Sequence, residues 1–228
     1  MSKSKIFQSL FGRKSVAEFG HFEVLFIALM LALLVKPFFK GFVGVQILTN
    51  LFLTIIYITA IFTVIRSRKI FLLTLVVVVP TIVLTWLGYF FPLPEILALN
   101  NVVNLVFFTY TIALLLAYII RQKRVTRNVI MGAMSAYMLM AFLWATAYTL
   151  LETISPGSFH LVNNADASGD LLYFSFVTIT TLGYGDITPL TYQARALVVT
   201  QTILGQMYVA IMIARLVGIQ IAQSMEEK

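Results

Sequence analysis

Long apolar runs constrain this chain more than any other feature. They cover residues 22–39, 43–65, 70–91, 96–120, 128–151 and 192–222, and short polar or basic connections separate them. About 20 apolar residues in a helix cross a bilayer, and inside hydrocarbon every backbone N–H and C=O needs a partner in its own segment, which a helix provides. The runs therefore predict an all-α membrane protein with six transmembrane helices. Composition agrees: 60% of the residues are hydrophobic, against about 45–50% in soluble globular chains.

The basic residues sort by connection. Lys3, Lys5, Arg13 and Lys14 precede the first run, Arg66, Arg68 and Lys69 separate the second from the third, and Arg121, Lys123, Arg124 and Arg127 separate the fourth from the fifth. All of these fall on one side of a six-span chain, while Lys36, Lys40 and Arg195 fall on the other. Positively charged loops stay in the cytoplasm, so both termini are expected there, with anionic lipids as partners at that face. In a soluble chain the net charge of +7 would point to nucleic acid; here it marks membrane orientation. Residues 1–20 place Ile6, Phe7, Leu10 and Phe11 at helical spacing among polar residues, which reads as a cytoplasmic amphipathic segment or as a basic tail. No cleavable leader is expected at the start, and no soluble domain after the last run. Without cysteine there is no disulfide, thiolate metal site or cysteine nucleophile. His21 and His160 have no catalytic partner in view, so neither an enzyme nor a cofactor is expected.

Between the last two runs lies a stretch too short to cross, 170–181, which leads into Thr180-Thr181-Leu182-Gly183-Tyr184-Gly185-Asp186. Two glycines one residue apart let alternate residues take positive φ without a Cβ clash. The carbonyls of Thr181, Leu182, Gly183 and Tyr184 can then face the same way, as a ladder for a cation. Such bare backbone is tolerated at membrane depth only where it lines a watery path.

The seven-residue string resembles the signature of potassium channels, with Leu182 where valine is commoner. The resemblance implies a homotetramer in a bacterial inner membrane, with K+ as the permeant ion. A re-entrant pore helix over 170–180, capped by Ser168 or Asp170, would lead into a selectivity filter of Thr181, Leu182, Gly183, Tyr184 and Gly185. K+ would bind the carbonyls of Thr181, Leu182, Gly183 and Tyr184 and the Thr181 hydroxyl, with Tyr184 turned away from the ions to brace the filter. Tyr173 and Phe174 stand where the family often has two tryptophans, and a Tyr173–Asp186 hydrogen bond is expected behind the filter. Gly205 stands where similar channels carry a gating hinge; close helix packing is the other reason for a glycine there. The inner-helix pattern, 205–218, resembles small bacterial potassium channels and places Arg215 near the cytoplasmic headgroups or a partner within the tetramer.

Residues 21–121 then resemble a four-helix voltage-sensor domain without its arginines, and 128–223 a pore domain. Moving one charge through 100 mV is worth about 2.3 kcal/mol, so a fourth helix with no arginine over 96–120 cannot be a conventional sensor. It carries Asn100, Asn101 and Asn104 instead. These are expected to bond a neighbouring helix, through Asn50 or Thr54, or to line a ligand- or water-filled crevice. The short connection over 121–128 predicts that the four-helix unit packs on the pore helices of its own chain. The function so implied is a potassium-selective channel conducting passively. A nonselective cation channel of the same fold is the main rival; a secondary transporter, which would want ionisable groups at mid-membrane, is a weaker one.

Overall fold

The computed structural model describes residues 21–38, 44–64, 68–162 and 166–226; the expected N-terminal amphipathic segment lies outside them. Among these residues seven helices follow in order: α1 (His21–Phe38), α2 (Val45–Val64), α3 (Arg68–Phe90), α4 (Pro94–Arg121), α5 (Arg127–Ile154), α6 (Ala167–Ile179) and α7 (Tyr192–Glu226). A two-residue ribbon, β1 (Phe159–His160) antiparallel to β2 (Thr188–Pro189), pairs Phe159 with Pro189. Among the described residues α3, α4, α5 and α7 are long and apolar enough to cross a membrane, and the chain is a multi-pass membrane protein. Helices α1 and α2 have 18 and 20 residues.

Helix starts follow from local chemistry. Pro94 and Glu95 open α4, a proline where the missing N–H costs nothing and an acid at the positive end of the dipole. The Thr126 side chain accepts from Val129 N to cap α5. The cap of α6 is Asp166, whose carboxylate accepts from Gly169 N at 3.1 Å. This corrects the expectation of Ser168 or Asp170, which lie inside the first turn, beyond the extended position from which a cap reaches back-facing N–H groups. Gly169 makes room: a Cβ there would sit 2.6 Å from Asp166 Oδ2.

Helices α1 and α4 both pack against α5, and α6 lies against α5 and α7. One core joins Leu25, Leu29, Ile56, Tyr57, Phe107 and Leu139, so the first four helices are continuous with α5 of the same chain. A Glu23–Arg127 pair at 2.8 Å bridges the same junction. It is largely exposed on the arginine side, and such pairs stabilise by at most about 1 kcal/mol.

Asn100 and Asn104 of α4 are hydrogen-bonded, and all three asparagines line a cavity. Tyr57 Oη donates to Asn104 Oδ1 at 2.6 Å, Asn104 Nδ2 donates to Asn100 Oδ1 at 3.1 Å, and Thr85 Oγ1 donates to that same oxygen at 3.3 Å. The α2 partner is thus Tyr57, whose hydroxyl reaches across the helix interface. Thr54 turns instead to Asn50 O and to Trp86 Nε1.

Within the chain Arg215 finds partners that its position in the run did not predict. Its guanidinium donates to the carbonyls of Ile120 and Gln122 at the C-terminal end of α4. The last carbonyls of a helix have no partner in the helix itself, and a cation there also meets the negative end of the dipole. Nearby, Val125 N donates to Gln223 Oε1 at 3.2 Å, so α7 touches the α4–α5 connection at two points.

Candidate functional site

The chain leaves α6 by folding back on it. Thr181 N bonds Thr178 O at 3.0 Å, and Leu182 N bonds Val177 O at 2.9 Å. Residues Thr181, Gly183 and Gly185 have φ of +60°, +57° and +80°, whereas Leu182 and Tyr184 between them do not. This alternation of hand turns successive peptide units to a common side. Among the described residues no N–H or O–H donates to the carbonyls of Thr181, Leu182, Gly183, Tyr184 or Gly185. Backbone carbonyls are obligatory acceptors, and a run of them facing one way suits a dehydrated cation. The Thr181 hydroxyl donates to Thr180 O at 2.6 Å, which leaves its oxygen free to accept or to ligate.

Behind this loop Tyr173 Oη donates to Asp186 Oδ2 at 2.8 Å, while Asp186 Oδ1 accepts from Ile187 N at 3.1 Å. Both carboxylate oxygens are therefore held. The hydrogen bond to Asp186, with that residue's charge beside it, raises the Tyr173 phenol above its ordinary value, so it remains a donor at neutral pH. Phe174 follows Tyr173 in α6. It is buried among Tyr148 and Phe159, with ring centroids at 5.5 and 5.8 Å, because its helical position turns it toward α5 and the β1 ribbon. Tyr184 is 68% exposed in the single chain.

The anchoring of α6 was not foreseen. Gln201 of α7 is fully buried; its Nε2 donates to Ser175 O at 3.0 Å and to Ser175 Oγ at 2.8 Å. Tyr148 of α5 donates to Gln201 Oε1, and Ser175 Oγ donates to Ala141 O at 2.7 Å. Three helices are thus joined through one amide. The signal in the sequence was a glutamine inside an apolar span, where a polar side chain is retained only with partners. Tyr137 Oη adds a bond to Ile179 O at 2.8 Å, at the last turn of α6. Replacing Tyr148 with phenylalanine keeps the ring but strands Gln201 Oε1, which costs about 1–3 kcal/mol. We expect Tyr148→Phe to lower the melting temperature clearly, and Tyr137→Phe, which strands the carbonyl of the buried Ile179, to lower it as well.

Gly205 is buried where α7 meets the end of α6. A Cβ there would lie 2.6 Å from Ile179 Cγ1 and 3.3 Å from Ile179 O. Helix α7 runs unbroken through the glycine.

Comparison with known proteins covers this half of the chain. Residues 129–220, which span α5, α6, the loop and most of α7, match the family model described as Ion channel. This stretch is similar to ion-channel domains. The chain is also similar to Two pore potassium channel c of Oryza sativa subsp. japonica, 34% identical over 88 residues, which cover 36% of this chain. The chain spans 19% of the length of that curated relative. No solved structure matches the chain. The ion-channel domain holds the Gly-x-Gly loop, its Tyr173–Asp186 support, the Gln201 anchor and Gly205; the four-helix unit before it lies outside the matched stretch.

Proposed function

We propose that the chain forms a potassium-selective channel in which four copies surround one axis, each contributing the carbonyls of Thr181, Leu182, Gly183 and Tyr184 and the Thr181 hydroxyl to a ring of K+ sites. The observation that carries this reading is the alternation of positive φ at Thr181, Gly183 and Gly185 in a loop whose carbonyls accept no hydrogen bond among the described residues. One chain offers one strand of oxygens, and closed cyclic symmetry supplies the rest. Helix α7 supports an assembly as well: only 17% of its apolar window is buried within the chain, against 56% for α5, so most of its surface is left for a pore and for other copies. Tyr184, exposed in the single chain, would then brace the filter against an α6 of another copy.

In this reading α1 and α2 also cross, which gives six spans with both termini cytoplasmic, and the membrane is a bacterial inner one. The negative end of the α6 dipole points at the cavity below the filter and favours a cation there. Helix α4 has no arginine before Arg121, so voltage does not act on it in the conventional way.

Reversal potential in unequal potassium and sodium tests the proposal. Current from purified protein in a bilayer is expected to reverse with the potassium gradient and ignore sodium; a reversal that follows the summed cations would instead leave a nonselective channel of the same fold. Tyr173→Phe removes the bond to Asp186 and is expected to speed the decay of current during sustained opening, with the initial current retained. An unchanged decay would make Tyr173 an interfacial aromatic only.

A further inference from the structure

A cavity of about 370 Å³ opens between the four-helix unit and the ion-channel domain. It lies on the outer half of the proposed topology, beside the start of α4 and the ends of α3 and α5. Its polar side is made by Asn50, Thr85, Tyr89, Asn100, Asn101 and Asn104, and its apolar side includes Leu53, Phe108, Phe142 and Leu172. No side chain lining it carries a formal charge.

Some of these polar groups are already spoken for. Tyr57, Asn104, Asn100 and Thr85 form the chain of bonds between α2, α3 and α4. Others are not. Asn50 is only 4% exposed, yet its side-chain amide makes no hydrogen bond among the described residues, and it faces the cavity. The Asn101 amide and the Tyr89 hydroxyl face the same space, also without a partner among those residues. Whatever fills the cavity, water or a ligand, supplies the hydrogen-bond partner that these groups lack within the chain. At roughly 30 Å³ per water the cavity holds about a dozen, and its volume falls within the range of small-ligand sites, about 300–1,000 Å³.

We propose that this cavity is a binding site for a small uncharged amphiphile whose amide or hydroxyl head bonds Asn50, Asn101 and Tyr89 while its apolar body lies against Leu53, Phe108 and Phe142. An ion is disfavoured because it would be desolvated with no counter-charge. A primary amide matches asparagine in both donor and acceptor. Because Phe142 belongs to α5 and Leu172 to α6, a bound molecule touches the ion-channel domain and the four-helix unit at once. The site stands independently of the pore reading, since binding is measured without current.

The test uses three probes with one carbon skeleton: 4-phenylbutanamide, 4-phenylbutanoate and 4-phenylbutylamine. Saturation-transfer NMR on the full chain in lipid nanodiscs, with empty nanodiscs subtracted, reads binding of each. The amide is expected to bind at least fivefold more tightly than either ion, and Asn101→Leu to weaken it at least fivefold. Asn101 is only half-buried, so the variant is expected to fold, checked by an unchanged melting temperature; should it misfold, Tyr89→Phe supplies the same comparison with the ring kept. Equal binding of the three probes, binding unaltered in the folded variant, or no binding at all would each overturn the assignment.

Discussion

Gly185→Ala is expected to abolish potassium current while leaving the helices folded. Gly185 sits at φ +80°, a region where an L-residue with a Cβ is disfavoured by about 1–2 kcal/mol. No heavy atom lies within 4 Å of where that Cβ would stand, so the penalty lies in the backbone alone and not in packing. In the proposed ring the same penalty falls on four loops that must agree, about 4–8 kcal/mol in all at that rate. The cheapest release is to turn the peptide to negative φ, which breaks the alternation with Gly183 and Thr181 and swings a carbonyl out of the row. Flux of potassium into liposomes should fall below a tenth of the wild-type rate, with circular dichroism and melting temperature unchanged. Wild-type flux through Gly185→Ala would show that the loop is not the conducting element.

Thr181 makes the same point from the opposite side. It is β-branched and yet has φ +60°, an outlier for such a residue. What holds it is the fold-back onto α6: its own N–H on Thr178 O, the next N–H on Val177 O, and its hydroxyl on Thr180 O. Strain of this kind persists only where the surroundings over-determine it.

The loop was legible because glycine spacing speaks directly about φ, and the helices because apolar length speaks directly about crossing. Runs expected over 70–91, 96–120 and 128–151 became 68–90, 94–121 and 127–154, shifted mainly where a proline or a cap sets the end. What depends on helix rotation was not legible. Nothing in the spacing of Asn100 and Asn104 says that Tyr57 faces them and Thr54 does not, since both lie on α2 within one turn. The Gln201 anchor joins residues 26 and 53 positions apart, a separation at which periodicity carries no information. Arg215 illustrates a different limit: its depth was readable from its position in the run, but the open carbonyls at the end of α4 become a partner only after the helices pack.

Gly205→Ala separates two reasons for a glycine in the middle of α7. A helix-interior glycine costs about 1 kcal/mol relative to alanine, so alanine should stabilise α7 if the position needs only a helix former. The alanine methyl, however, would meet Ile179 Cγ1 at 2.6 Å and Ile179 O at 3.3 Å. The first of these atoms is one bond from the isoleucine Cβ and the second is backbone, so neither moves away cheaply. Overpacking of this kind costs about 1–3 kcal/mol, and the repulsion pushes α7 off the last turn of α6, where Tyr137 holds Ile179 O. We therefore expect Gly205→Ala to lower stability and current together. Ile179→Ala removes the clashing Cγ1, so the double variant Gly205→Ala/Ile179→Ala should recover current relative to Gly205→Ala alone, even though Ile179→Ala by itself leaves a cavity. A hinge makes the contrary forecast: current lost in Gly205→Ala would stay lost in the double variant, because the second substitution restores space but not the freedom of the backbone to bend.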